Sequence, residues 1–359
     1  MIKKGFITFC LVTLPFVTLS SQDTTAISWD GFFESAAFAQ PFVSEMHSNV
    51  SKAELGYNKS YSEFDLLEEG SKFNRPMVEL HAGFDIPLFA NFSRDIDNKN
   101  KWGFAASVPV SVHVLEDMWG SETAPVINTD YRFGSFKLRL IRYFPNNRFI
   151  KNISFSWLPI FHECTHLGDE ITIYRKDENF PITRINVSYE YTEFQATIND
   201  PDRIRENCHS LRLGFSYRIS NRGLGWFSVR KDAELTTDLD IPASKYRGEY
   251  YLEYQFQRTQ GFLASKRFVN VLSFEVRYRL RYGYPLFKKV DEGKWETTEV
   301  KEGMLFNFNL YWGYKFYPKT NFNHAVGFYF HGYRGLNPYG QLRNYPGYPF
   351  FGISLIYEL

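Results

Sequence analysis

From about residue 49 to the end, apolar and polar positions alternate with a period of two, the signature of strands whose two faces meet different surroundings. The clearest run is 268–282. Phe274, Val276, Tyr278, Leu280 and Tyr282 face one way, while Ser273, Glu275, Arg277, Arg279 and Arg281 face the other. Residues 304–316 repeat the pattern, with Phe306, Phe308, Leu310, Trp312 and Tyr314 set against Asn307, Asn309, Gly313 and Lys315. Aromatics crowd the strand ends, charges stack on the opposite face, and segments run about ten residues or more, which predicts an antiparallel up-and-down transmembrane barrel rather than a soluble sandwich.

Candidate strands fall at 49–57, 76–88, 101–114, 127–142, 150–164, 183–195, 208–219, 224–236, 246–258, 267–282, 303–316, 322–334 and 349–359. That count is odd, and bacterial single-chain barrels have even numbers. The short connections at 145–148, 220–223 and 318–321 must all lie at the periplasmic end. Counting between the first two merges 183–195 and 208–219 into one crossing, with 196–207 as an extracellular excursion, and leaves an expected all-β barrel of about 12 strands over 49–359.

The ends of the chain add a compartment. Residues 1–21 carry Lys3 and Lys4, an apolar run and small residues at Ser20 and Ser21, the layout of a secretory signal peptide. Residues 22–48 read as a periplasmic lead-in. The last strand, 351–359, alternates to its end and resembles the C-terminal signal read by the barrel-assembly machinery, with Leu359 where Phe or Trp is usual. Localisation in a bacterial outer membrane follows, with outer-membrane lipids as neighbours.

Composition removes competing classes. After the leader no stretch approaches the ~18 apolar residues that a spanning helix needs. Phe 36, Tyr 24 and Trp 7 make 19% of the chain, the opposite of a disordered composition. Lys+Arg 41 against Asp+Glu 40 offers nucleic acid no electrostatic footprint.

One segment departs from plain alternation: His162-Glu163-Cys164-Thr165-His166-Leu167-Gly168-Asp169-Glu170. Arg184 to Glu190 and Asn337 to Arg343 accompany it. Together these resemble a family of uncharacterised bacterial outer-membrane barrels marked by a His-x-Ser-Ser-His-Leu-Gly-Asp-Glu stretch. Here Cys164 and Thr165 stand in the serine positions, and the family brings no activity with it. A second resemblance is to outer-membrane phospholipase and lipid A deacylase barrels, which place a His-x-Ser pair on a strand near the outer leaflet. It implies His162 as base, Cys164 as thiol nucleophile, and Asn186 or Glu190 as the group that orients the imidazole. Parity opposes this. Ile153, Phe155, Trp157 and Phe161 mark the lipid face and send Ser154, Ser156, His162, Cys164 and His166 into the lumen. A bulge at Pro159 would reverse the facing, but Phe161 continues the pattern after it.

The inward face suggests three further arrangements. Cys164 and Cys208, at similar expected heights on neighbouring strands, meet the requirements of a disulfide. His113, Asp130 and His162 on consecutive strands offer two imidazoles and a carboxylate to a divalent cation such as zinc. His81, Glu79 and Arg132 stand nearby. Apart from such a cation no cofactor is expected, and an interior hydrogen-bond and salt-bridge network accounts for the same residues. Glu275, Arg277, Arg279, Arg281 and Lys315 read as lumen lining paired with Glu249 and Glu253. The expectation is a barrel with a polar lumen in a structural or small-solute channel role, with lipid or lipid A hydrolysis as the alternative.

Overall fold

The structure, a computed structural model, describes residues 42–45, 51–58, 75–92, 102–117, 126–144, 146–167, 183–186, 188–201, 207–219, 225–228, 248–259, 268–291, 294–317, 325–336 and 346–358. Its strands are β1 (Ser51–Asn58), β2 (Arg75–Phe92), β3 (Trp102–Asp117), β4 (Val126–Gly134), β5 (Lys137–Tyr143), β6 (Asn152–Leu167), β7 (Thr183–Asn186) and β8 (Ser188–Ile198). They continue as β9 (Cys208–Arg218), β10 (Gly225–Ser228), β11 (Gly248–Arg258), β12 (Phe268–Asp291), β13 (Lys294–Phe316), β14 (Ala325–Leu336) and β15 (Pro346–Glu358).

Every pairing is antiparallel, and β1 against β15, from Ser51↔Tyr357 to Asn58↔Phe350, closes the sheet on itself. Strands β4 and β5 share the neighbours β3 and β6 and form one crossing with a break between them. The result is a closed barrel of 12 strands.

The total agrees with the alternation, but one merger does not. Segments 183–195 and 208–219 are separate neighbours, β8 and β9, paired from Tyr191↔Arg218 to Ile198↔Leu211. Residues 196–207 therefore include the end of β8 and the reversal into β9 rather than an excursion within one crossing. Asn199 holds that reversal at φ 58, a left-handed position that Asn tolerates, and its amide donates to Phe149 O and His209 O. Strand β10 pairs with β7 in the same sense as β9 with β8, so 225–228 prolongs the path of β9 and the expected strand 224–236 is not a crossing of its own. Residues 220–223 and 318–321 lie outside the described residues, but because 208–218 and 225–228 belong to one crossing, the reversal expected at 220–223 is corrected.

The two faces differ as the period of two requires. Outward positions are apolar and exposed, among them Phe155, Leu213, Phe306, Trp312, Phe330 and Phe351. Inward positions are buried and largely polar, with an apolar patch that includes Val269, Val271, Tyr311, Tyr329 and Ile356. Arg277 donates to Glu275 Oε1 at 2.7 Å and to Glu249 Oε2 at 2.8 Å, and Arg279 donates to Glu249 Oε1 at 2.7 Å. Lys315 is buried on the same face. The inward stripe is thus as expected, except that Glu253 pairs with Arg212, 3.1 Å away. The side chain of Arg281 lies outside those described.

Residues 42–45 stand inside this polar lumen. They form a turn closed by Glu45 N to Phe42 O at 3.0 Å, and all four are buried. The expected lead-in over 22–48 therefore contains a segment that the wall surrounds.

Candidate functional site

The decisive local event is a paired irregularity in two neighbouring crossings. In β6 the register with β8 shifts between Leu158 and Phe161, where Pro159 has no N–H to give a ladder. Opposite it, Ser135 and Phe136 separate β4 from β5. Ser135 N donates to Ile160 O at 2.7 Å, and Ile160 N donates to Ser135 Oγ at 3.1 Å. Leu158 O accepts from Thr192 Oγ1 at 3.1 Å, and that hydroxyl in turn accepts from Trp157 Nε1 at 3.1 Å. Gly134 fits beside the break because a Cβ there would meet Pro109 Cγ at 2.4 Å.

This irregularity reverses the facing of the upper half of β6. Below it Phe155 and Trp157 look outward; across it Leu158 and Phe161 both look inward and are buried. Above it Glu163 is inward, fully buried and 3.6 Å from Arg132. His162 and Cys164 consequently face outward. The expectation that parity holds them in the lumen is corrected, since Phe161, 2% exposed, is an interior residue.

On the outer wall three strands bring their side chains together. Phe133 of β4, His162 of β6 and Glu190 of β8 are successive register partners. His162 Nδ1 lies 3.2 Å from Glu190 Oε1, and the Phe133 ring covers the imidazole at 4.9 Å between centroids. A carboxylate only accepts, so Nδ1 carries the proton of this contact and Nε2 is left as the basic nitrogen. Cys164, two residues on and on the same face, is a free thiol. Of the two expected orienting residues, Glu190 makes the contact. Asn186 lies in β7, and its side chain, like those of Arg184 and His166, is outside those described. Gly168, Asp169 and Glu170 lie outside the described residues altogether.

Two expected arrangements do not form. Cys208 is on β9, separated from β6 by β8, faces inward, and lies 3.7 Å from Ser210 Oγ; both cysteines are free. The disulfide expectation failed because it rested on the merged crossing, which placed Cys208 at the wrong end. The cation triad is divided by the wall itself. His113 and Asp130 are inward, with Nδ1 3.9 Å from Oδ2, whereas His162 is outward. Among the described residues no group of three or more His, Cys, Asp or Glu side chains is placed to hold a metal ion. The interior network forms instead: His113 Nε2 lies 3.9 Å from Glu79 Oε2, Arg132 contacts both Asp130 and Glu163, and His81 meets His113 edge to face at 5.8 Å.

On the same outer wall, toward the β5–β6 connection, an open groove of about 630 Å³ is lined chiefly by Phe104, Phe155, Trp157, Phe194, Leu213 and Phe215. Trp157 and Phe194 stack across its floor, 6.0 Å apart and within 4° of parallel. Sequence reasoning missed Ser135, Thr192 and Phe133. The only written sign of the first two is Pro159 in the middle of a strand. The chain matches no family model and no curated protein.

Proposed function

We propose that the chain is an integral outer-membrane barrel whose outer wall hydrolyses acyl ester bonds of membrane lipids, with Cys164 as nucleophile, His162 as base and Glu190 as the group that orients it. The observation that carries this reading is the outward His162–Glu190 contact at 3.2 Å beside a free thiol on the same strand face. The membrane reading draws its support from the inverted barrel, apolar outside and charged inside. It also agrees with the leader at 1–21. Depth is consistent with it. His162 lies ten residues above the start of β6, which at ~3.3 Å per residue and a tilt of ~40° is about the ~25 Å height of an outer-membrane apolar band. The apolar groove on the same outer wall offers acyl chains a surface.

The chemistry runs in two halves. Nε2 of His162 takes the thiol proton as sulfur attacks the ester carbonyl carbon; the tetrahedral adduct collapses, and the departing alcohol takes that proton from the imidazolium. Water, deprotonated by the same nitrogen, then attacks the thioester and releases the fatty acid and the thiol. Glu190 fixes the ring tautomer and steadies the positive charge the ring acquires.

The test is release of fatty acid from phospholipid, and separately from lipopolysaccharide, by purified refolded protein beside His162→Ala. Wild type faster than the variant on either substrate supports the reading. Equal rates on both substrates end it.

A further inference from the structure

We infer that the lumen is a conduit for ions and small polar solutes which the chain holds shut with its own residues 42–45. The turn is seated on one sector of the inner wall, with all four of its residues buried. Its contacts fall on β8, β9, β11, β12 and β13, which are consecutive in the wall. Val43 N donates to Gln255 Oε1 at 2.9 Å, Ser44 N to Ser273 Oγ at 3.1 Å, and Asn309 Nδ2 to Ser44 O at 2.8 Å. Arg212 donates to Glu45 Oε2 at 2.7 Å, Gln195 donates to Glu45 Oε1 at 3.4 Å, and the Arg212 guanidinium covers the Phe42 ring at 4.5 Å.

Three properties mark this turn as a removable stopper. Every one of these wall contacts is made by a wall side chain, while the ladders of those strands pair with one another without the turn. Its departure therefore breaks no bond that closes the barrel. The polar wall groups it would leave are amides, hydroxyls and a guanidinium, which water satisfies, while Val43 would leave the apolar cluster it forms with Val269, Val271, Tyr311 and Tyr329. Arg212 also pairs with Glu253 at 3.1 Å, so loss of Glu45 does not strand its charge. Glu45 and Glu193 share one amide, Gln195, which lies 3.4 Å from the first and 3.2 Å from the second, and the two like charges oppose each other there.

The rest of the lumen is suited to water. Both ring nitrogens of His81 and the hydroxyls of Ser111 and Ser354 are buried and meet no hydrogen-bond partner among the described residues. Such atoms are tolerated only where water reaches them.

Single-channel recording in planar bilayers tests the inference without any reference to hydrolysis. The proteins are wild type, a variant lacking residues 42–45, and a lock carrying Ser44→Cys and Ser273→Cys with Cys164 and Cys208 replaced by serine. The Ser273 and Ser44 hydroxyls are 2.8 Å apart, close enough for a crosslink. Wild type is expected to be closed with brief openings, the deletion variant persistently open, and the lock silent when oxidised and wild-type-like when reduced. A deletion variant that keeps the heat-sensitive gel mobility of a closed barrel yet is silent overturns the inference. So does a wild type that conducts as freely as the deletion variant. Should the deletion variant not fold, Phe42→Ala with Glu45→Gln takes its place: several-fold higher open probability supports the stopper, and unchanged gating overturns it.

Discussion

His162 and Glu190, register partners on β6 and β8, meet on the outside of the barrel with Nδ1 3.2 Å from Oε1. An imidazole and a carboxylate turned away from a lumen full of other charged groups need a reason, because apolar side chains suit that wall better. A catalytic pair supplies one. Replacing His162 by Ala is expected to lower fatty-acid release by about 10²–10⁴-fold, the usual share of general acid–base catalysis. Glu190→Gln should lower it less, through the wrong ring tautomer. The double variant His162→Ala, Cys164→Ala should be no slower than the worse single variant, since the residues act as one unit. Additive losses in steady-state rates would contradict that unit.

The facing of His162 depends on the break at Pro159 and on its counterpart at Ser135. Gly134 is the tight point, with Pro109 Cγ 2.4 Å from where a Cβ would stand. Gly134→Ala is expected to destabilise the barrel by about 1–3 kcal/mol, as overpacked sites do. Urea unfolding in detergent micelles measures this. The same variant should lose hydrolysis beyond what its folded fraction explains, because the shift moves β4 against β6 beneath the imidazole.

How far the molecule could be read in advance turns on the difference between local and paired signals. The stripe Glu275, Arg277 and Arg279 was readable because alternation within one strand fixes which face each residue joins. The facing of His162 was not, because a bulge is an agreement between two strands: Ile160 needs Ser135, twenty-five residues away, to close it. Cys208 was misplaced for a related reason, since strand ends depend on which reversals are counted, and 225–228 prolongs β9 rather than starting a new crossing. The turn at 42–45 has no period at all, and its partners on five strands are scattered from Gln195 to Asn309.

The thiols of Cys164 and Cys208 provide a separate check on facing and topology. Cys164 is outward and half-buried, and Cys208 is inward and 5% exposed. A small maleimide should therefore modify Cys164 several-fold faster than Cys208 in the folded protein, and equally fast in denaturant. Gel mobility should not change on reduction. Faster labelling of Cys208, or a reduction-dependent shift of the monomer, would refute the present placement of β6 and β9.

Arg277 sits fully buried among its wall partners, 2.7 Å from Glu275 and 2.8 Å from Glu249, with its guanidinium over the Tyr251 ring at 4.3 Å. Removing one member of a buried ion cluster costs more than the cluster itself contributes, because the remaining charges lose compensation. Arg277→Ala is expected to lower unfolding stability by about 3–5 kcal/mol. Arg277→Lys should cost less, since a lysine restores the charge but not the forked contact to two carboxylates. The triple variant Arg277→Met, Glu275→Gln, Glu249→Gln should recover part of the loss, although Arg279 then loses the charge of Glu249. If Arg277→Ala unfolds at the same urea concentration as wild type, water and ions already fill this part of the lumen, and the network does not hold the β11–β12 wall together.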